Sequence, residues 1–320
     1  MICLNYCKRL LIAAICLALI QVPAAAQTDI DGIMMTKNNF CSGLMYSYSN
    51  WTNYWEGKLK RENLNLGRVT TQMIGVMGNY GITNKLNVLF SLPYVTTKAS
   101  AGTLHGMEGV QDLSLYVKWM PIEMKMGNGD FTAYAIGGYS LPVTNYAADY
   151  LPLSIGLRSR NIYLRAMADY QLGRFFVTGS GTYVQRSNIT IDRTAYYTTE
   201  MHLTNKVDMP DAASFNFRAG YRFGGIIAEA VLDNWTTLGG FDITRNNMPF
   251  PSNEMNATRL GVNFKYEIPA VQGLSVIGGG NYTIAGRNMG QATTANGGIF
   301  YILNFNGKKS ATKPSSSKTN

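Results

Sequence analysis

Between Thr258 and Ile268 apolar and polar residues alternate. Leu260, Val262, Phe264, Tyr266 and Ile268 fall on one side, and Arg259, Asn263, Lys265 and Glu267 on the other. Successive side chains of a β-strand point to opposite faces, so this stretch predicts a strand with one apolar and one polar face. The same pattern sets Phe215, Phe217, Ala219, Tyr221 and Phe223 against Ser214, Asn216, Arg218 and Arg222. It sets Leu113, Leu115, Val117 and Trp119 against Asp112, Ser114, Tyr116 and Lys118, and Ile162, Leu164, Ala166, Ala168 and Tyr170 against Tyr163, Arg165 and Asp169. Twelve segments of this kind are predicted, at 39–49, 68–82, 86–96, 109–119, 130–141, 158–171, 175–186, 211–223, 226–237, 256–268, 274–285 and 298–305. No stretch after Phe40 carries a helical period.

The connectors alternate in length. Short ones (Thr83-Asn84-Lys85, 120–129, Leu172-Gly173-Arg174, Gly224-Gly225 and 269–273) follow every second segment, and long ones (50–67, 97–108, 142–157, 187–210, 238–255 and 286–297) follow the others. Strict alternation places all long loops on one side, as in outer-membrane barrels with short periplasmic turns and long extracellular loops. The expectation is an all-β fold, a transmembrane antiparallel up-and-down β-barrel of about 12 strands over 39–305. Both mature termini would then be periplasmic, in the outer membrane of a Gram-negative bacterium. Aromatic residues cluster at both ends of the apolar face: Trp119, Tyr170, Tyr221, Tyr266 and Phe305 at the periplasmic ends, Tyr94, Tyr139, Tyr183 and Tyr282 at the outer ends. Two such rings are expected where a barrel crosses the headgroup levels.

Composition agrees with a two-faced wall. Charged residues make up 15% of the 320, apolar residues 46% and aromatics 12%, with a mean hydropathy of −0.06. That is too little charge for an ordinary soluble surface and too little hydropathy for several apolar helices of about 20 residues. Averaging a lipid face with a polar lumen face yields such values.

Residues 1–26 read as a secretory signal peptide: Lys8 and Arg9 precede the apolar run Leu10–Val22, and Ala24-Ala25-Ala26 offers a cleavage site. Cleavage would remove Cys3, Cys7 and Cys16 and leave Cys41 alone, so no internal disulfide is available. Residues 27–38 are expected as a periplasmic amino-terminal segment, and 306–320 as a flexible basic periplasmic tail. The tail carries Lys308, Lys309, Lys313 and Lys318, much of the formal charge of +9, so that charge does not imply a nucleic-acid partner.

Two stretches carry a resemblance. One is Tyr80-Gly81-Ile82-Thr83-Asn84-Lys85-Leu86, running on to Leu92-Pro93-Tyr94; the other is Gly109-Val110-Gln111-Asp112-Leu113-Ser114-Leu115-Tyr116-Val117-Lys118-Trp119. Together they resemble the strand–turn–strand–loop–strand signature of the outer-membrane family named for the MetA pathway of phenol degradation, itself distantly similar to fatty-acid and aromatic-hydrocarbon channels. The resemblance implies a barrel for small, often hydrophobic, molecules. The long amino-terminal hatch of the fatty-acid channels has no clear counterpart here. Pro93, lacking an N–H, is expected where its strand leaves the membrane.

Groups for catalysis are scarce. His105 and His202 fall in outer loops beside no Ser or Asp constellation, and no ligand spacing supports a metal or other cofactor. Met34, Met35 and Cys41 are read as an apolar segment entering the barrel or packing under it. Gly278-Gly279-Gly280 lies within a strand, out of context for a phosphate loop. The candidates for a lumen lining are the inward charges Asp112, Lys118, Arg165, Asp169, Arg186, Arg218, Arg222, Glu229, Asp233, Arg259, Lys265 and Glu267. They would either line a pore or pair across strands and fill it. The expected function is passive passage of small, hydrophobic or aromatic molecules through a charge-lined lumen, without enzymatic activity. A structural or adhesive barrel with ligand-binding loops is the alternative, motivated by Tyr196, Tyr197, Met201 and His202 in 187–210, and a lipid hydrolase ranks behind it. Expected partners are outer-membrane lipid, the barrel-assembly machinery during insertion and a small-molecule cargo that the sequence does not identify.

Overall fold

A computed structural model describes residues 28–244 and 247–305. The signal-peptide and tail readings lie outside these residues. Twelve long strands form the wall: β1 (Asn39–Trp51), β2 (Val69–Thr83), β3 (Leu86–Ala99), β4 (Asp112–Met126), β5 (Gly129–Pro142), β6 (Asn161–Leu172), β7 (Phe175–Arg186), β8 (Ala212–Phe223), β9 (Ile226–Thr237), β10 (Asn256–Glu267), β11 (Leu274–Arg287) and β12 (Thr293–Asn304). Each pairs antiparallel with its sequence neighbours. β1 closes the sheet on β12, from Asn39 opposite Asn304 to Asn50 opposite Thr293. The result is a closed up-and-down barrel with no open edge along its wall, and the described residues contain no helix.

Two-residue turns at 84–85, 127–128, 173–174 and 224–225, with 268–273, join the strands at the end where Asn38 and Phe305 also meet. Glycine supplies the left-handed backbone in three of these tight turns, at Gly127, Gly173 and Gly224. Loops 52–68, 100–111, 143–160, 187–211 and 238–255 and the short connection 288–292 lie at the opposite end.

Three boundaries differ from the sequence reading. β4 continues through 120–126, which was expected as a connector. A bulge between Trp119 and Ile122, at Pro121, resets the alternation there, so Ile122, Met124 and Met126 join the exposed face. β12 begins at Thr293 rather than 298, because its first half faces outward with Ala295 and Gly297, which carry no apolar signal; the last outer connection shrinks accordingly. Pro93 sits inside β3, opposite Gly75. On its other edge it falls between the Ser91–Ser114 pair and the Tyr94–Val110 pair. The ladder is interrupted at that point, so the missing N–H costs little.

Outward side chains form an exposed apolar belt around the circumference, including Leu44, Ile74, Val88, Val117, Leu164, Phe217, Leu232, Val262 and Ile299. An apolar surface of this extent marks a face that meets something other than water. The aromatics Tyr94, Trp119, Tyr139, Tyr183, Tyr221 and Tyr282 lie exposed on that side, with Phe305 just beyond β12 and Tyr170 and Tyr266 half-buried.

The long loops pack on one another as a collar. Ala148, Ile189, Ile191, Tyr196, Val207, Met209 and Phe250 form one apolar cluster joining loops 143–160, 187–211 and 238–255. Leu66, Val69 and Leu153 join the first and third loops. Arg287, at the end of β11, clasps Asp242 and Glu254 of loop 238–255 at 2.6–2.8 Å. His202 belongs to this collar: its ring stacks on Tyr196 and meets Thr198.

Candidate functional site: the lumen and its amino-terminal segment

Residues 28–38, expected as a periplasmic segment whose Met34 and Met35 enter the barrel or pack under it, lie inside it. The chain passes from β1 back into the lumen, and the wall is shaped to receive it. Asn84 in the β2–β3 turn accepts from the Lys37 N–H, and Gly81 accepts from the Asn38 N–H. Gly81 faces inward, and a Cβ there would lie 2.2 Å from the Thr36 carbonyl oxygen and 2.8 Å from that of Met35. Only glycine leaves room for the segment at this point. Asn87 is fully buried; with its amide oriented to satisfy its neighbours, it donates to the Met35 carbonyl and accepts from the Met35 N–H. Met35 packs with Cys41 and Phe300, and Met34 rests against Met120, Tyr134 and Met167. The soft side chains singled out in the sequence are therefore apolar contacts of an inserted segment.

Further in, the segment turns around Lys118. This side chain is 0% exposed. Its ammonium donates to the carbonyl oxygens of Asp31 (2.6 Å), Ile33 (2.8 Å) and Thr28 (3.0 Å) and to the Asp31 carboxylate (3.1 Å). Asp31 also accepts from the backbone N–H groups of Thr28 and Ile33, closing the turn on itself. Two strands away Arg165 binds both the carboxylate (2.6 Å) and the carbonyl (3.0 Å) of Asp29, while its Nε donates to Thr182. Tyr134 donates to the Gly32 carbonyl. A buried ammonium or guanidinium is tolerable only when paired and hydrogen-bonded, and here the chain's own amino-terminal segment supplies the partners.

The remaining inward charges pair along the wall. Arg218 meets Glu229 at 2.7 Å, Arg222 meets Asp169 at 2.9 Å, Arg259 meets Asp233 at 3.1 Å and Lys265 meets Glu267 at 3.1 Å. Arg222 also lies over the Phe176 ring. Asp112 accepts from the Tyr146 hydroxyl of loop 143–160, and Arg186 donates to the Pro210 carbonyl. Outside the wall strands, the Tyr146 phenol is pushed above its ordinary range, first by burial and then by its bond to Asp112.

Segment 28–33 lies against β4–β6 and leaves the other half of the lumen open. A cavity of about 520 Å³ runs between Thr28, Ile30, Asp31 and Ile33 on one side and β8–β12 with β1 on the other. Arg218, Arg222, Glu229, Asp233, Arg259 and Lys265 line it, together with Asn216, Asn263, Asn281 and Asn296 and an apolar strip of Met45, Ile227, Ile277 and Phe300. Of the charges named from the sequence, these six line the cavity and Asp112, Lys118, Arg165, Asp169, Arg186 and Glu267 do not; the asparagines and the apolar strip were not named as lining. The two alternatives set out for the inward charges coexist: they pair across strands and they border an open space.

The fold and lumen define a closed 12-stranded barrel of the outer-membrane type, with an inserted amino-terminal segment. No model of a known protein family matches the chain, and no curated protein does. Among solved structures, an outer membrane channel from Pseudomonas putida F1 superposes with a TM-score of 0.68 at 15% identity, covering 87% of this chain and 100% of that one. The translocator domain of the autotransporter NalP from Neisseria meningitidis gives a TM-score of 0.45 at 11% identity, over 86% of this chain and 91% of that one. The porin NanC gives 0.44 at 7% identity, over 81% and 100%.

Proposed function

We propose that the protein is an outer-membrane channel that passes small molecules passively, with both mature termini in the periplasm. The observation that carries this reading is the cavity of about 520 Å³ bordered by paired charges and asparagines, inside a closed wall whose outer face is apolar. The fold shared with the Pseudomonas putida channel supports it. The belt would meet acyl chains, and Tyr94, Tyr139, Tyr183 and Tyr282 above it and Trp119, Tyr170, Tyr221, Tyr266 and Phe305 below it would sit at the headgroup levels. The lining suits small solutes with both a polar and an apolar side, since Met45, Ile227 and Phe300 run beside the charges. No covalent step is part of this reading. The stretches resembling the phenol-degradation family form the wall behind the inserted segment, which is where a family-specific lumen would be built.

Planar-bilayer recording with purified protein, paired with liposome swelling in small polar and amphipathic solutes, tests the proposal. Discrete conductance steps and solute-dependent swelling are expected. Silence in both assays would refute the channel and leave the barrel intact. A second reading, loops that bind a partner, is favoured by Leu203, 86% exposed at the rim beside exposed Tyr197 and Met201. Deleting 196–203 separates the two readings by removing binding without altering conductance.

A further inference from the structure

The contacts around Lys118 and Arg165 differ in kind from the other ion pairs of the lumen. Arg218, Arg222, Arg259 and Lys265 find their carboxylates on the wall itself. Lys118 and Arg165 do not. Across the strands Lys118 faces Asn87 and Ile136, and Arg165 faces Ile136 and Thr182, none of them acidic. Their carboxylates arrive on a separate piece of chain, Asp31 and Asp29. We infer that this part of the wall is a binding site for carboxylate-bearing solutes, filled in the closed state by the chain's own amino-terminal segment, so that a competing carboxylate releases the segment and widens the passage. The inference rests on the channel reading above.

The site already holds carboxylates in the closed state. Arg165 donates from Nη1 to one oxygen of the Asp29 carboxylate and to the Asp29 carbonyl while Thr182 holds its Nε, and Lys118 donates to the Asp31 carboxylate. Charge-assisted hydrogen bonds of this kind are among the stronger ones, so a solute carboxylate can replace them in kind. The remaining requirement is a cost for leaving the site empty. Two buried cations with no acid on the wall cannot stay unpaired in a partly desolvated lumen. Withdrawal of the segment is therefore favourable only when something else brings the negative charge. That couples opening to occupancy: a ligand shifts an equilibrium only by its differential affinity for the two states, and here the closed state has no vacancy for it. The base of the segment is anchored separately, at Asn84, Gly81 and Asn87, so residues 28–34 can move while 35–38 stay.

The test is bilayer recording of the full chain with succinate as the carboxylate probe and succinamide as its uncharged counterpart. Succinate should raise the open fraction or unit conductance severalfold in the wild type, and succinamide should not. Asp29→Asn with Asp31→Asn, which spares the wall, should conduct at the raised level without succinate. Arg165→Gln should lose most of the succinate response. To exclude a general loosening of the barrel, Asp29→Cys with Arg165→Cys in a Cys41→Ser background is joined by a reducible thiol cross-linker. The joined form should stay at low conductance in succinate and recover on reduction. Equal conductance of the wild type and the Asp29/Asp31 variant, with no effect of succinate, would overturn the gate. Conductance that rises equally with succinamide would overturn the carboxylate site. Absence of conductance even after deletion of 28–34 would instead count against the channel reading.

Discussion

Lys118→Met removes the ammonium while keeping an unbranched apolar stem of similar length, so it separates the anchoring of the amino-terminal segment from the integrity of the wall. β4 is paired on both sides at this position, with Asn87 and Ile136 opposite Lys118, and those ladders do not involve the side chain. The segment loses four contacts between 2.6 and 3.1 Å and retains a half-buried Asp31 without its cation. Breaking a buried pair by removing one partner costs roughly 3–5 kcal/mol. Ordering the chain opposes docking by about 1–2 kcal/mol per residue, a cost the contacts of the segment must offset. At about 1.4 kcal/mol per tenfold, the loss raises the undocked population by about 10²- to 4 × 10³-fold. Hydrogen–deuterium exchange read by mass spectrometry reports this directly, because the N–H groups of Thr28 and Ile33 are held by Asp31. Peptides covering 28–36 should exchange about 10²- to 4 × 10³-fold faster in the variant, while β4, β5 and β6 keep wild-type protection. Unchanged exchange in 28–36 would refute the claim that the ammonium holds the segment. Loss of protection throughout β4–β6 would show that Lys118 supports the wall instead.

Four further outcomes are expected. Gly81→Ala places a methyl against the Thr36 and Met35 carbonyls, so the base of the segment should lose protection in the same exchange experiment without a change in the strands. Val262→Lys puts a cation on the outward face near the middle of β10, where the native side chain is 64% exposed; urea titration in lipid vesicles should show destabilisation of roughly 2–4 kcal/mol, as for Lys or Arg at a bilayer midplane, and no loss would argue that this face does not meet acyl chains. Arg287 holds Asp242 below the usual carboxylate range, so the clasp is fully present above that range and is lost as pH falls through the depressed value; protease nicking of loop 238–255 should increase below about pH 4, and Arg287→Gln should nick equally at neutral pH. Arg218→Gln with Arg259→Gln removes two cations from the cavity lining; the reversal potential in a salt gradient should move toward cation preference, and no movement would place the ion path elsewhere.

The wall was legible because lipid and lumen impose opposite demands on alternate residues. Thr258–Ile268 is such a case, and β10 occupies 256–267. Legibility failed where one face lacked a strong signal. Outward Ala295 and Gly297 in β12 read as neither apolar nor polar, and Pro121 in β4 marks a bulge that shifts the parity of everything after it. The inserted segment was anticipated only in part, through Met34 and Met35, and its polar half was not. Eleven residues without a period leave no pattern, and the position of 28–33 is set by Lys118 and Arg165, more than 80 residues away in sequence, while 35–38 rest on Gly81, Asn84 and Asn87.

A signal was nevertheless present once register is considered. Seven inward cations stand against five inward acids among the charges named from the alternation. After Arg218, Arg222, Arg259 and Lys265 take Glu229, Asp169, Asp233 and Glu267, Asp112 is committed to Tyr146 and Arg186 to the backbone of its loop. Lys118 and Arg165 are left over, level with one another on either side of Ile136, with neutral neighbours on both sides. Two buried cations require two acids, and the stretch leading into β1 offers Asp29 and Asp31. The same balance explains why the cavity is off-centre. Where the wall satisfies its own charges, between β8 and β12, nothing draws the chain in and a space remains. Where it does not, between β4 and β6, the amino-terminal segment fills the lumen. The uncompensated cations thus determine both which half of the barrel is filled and which half is left for a solute.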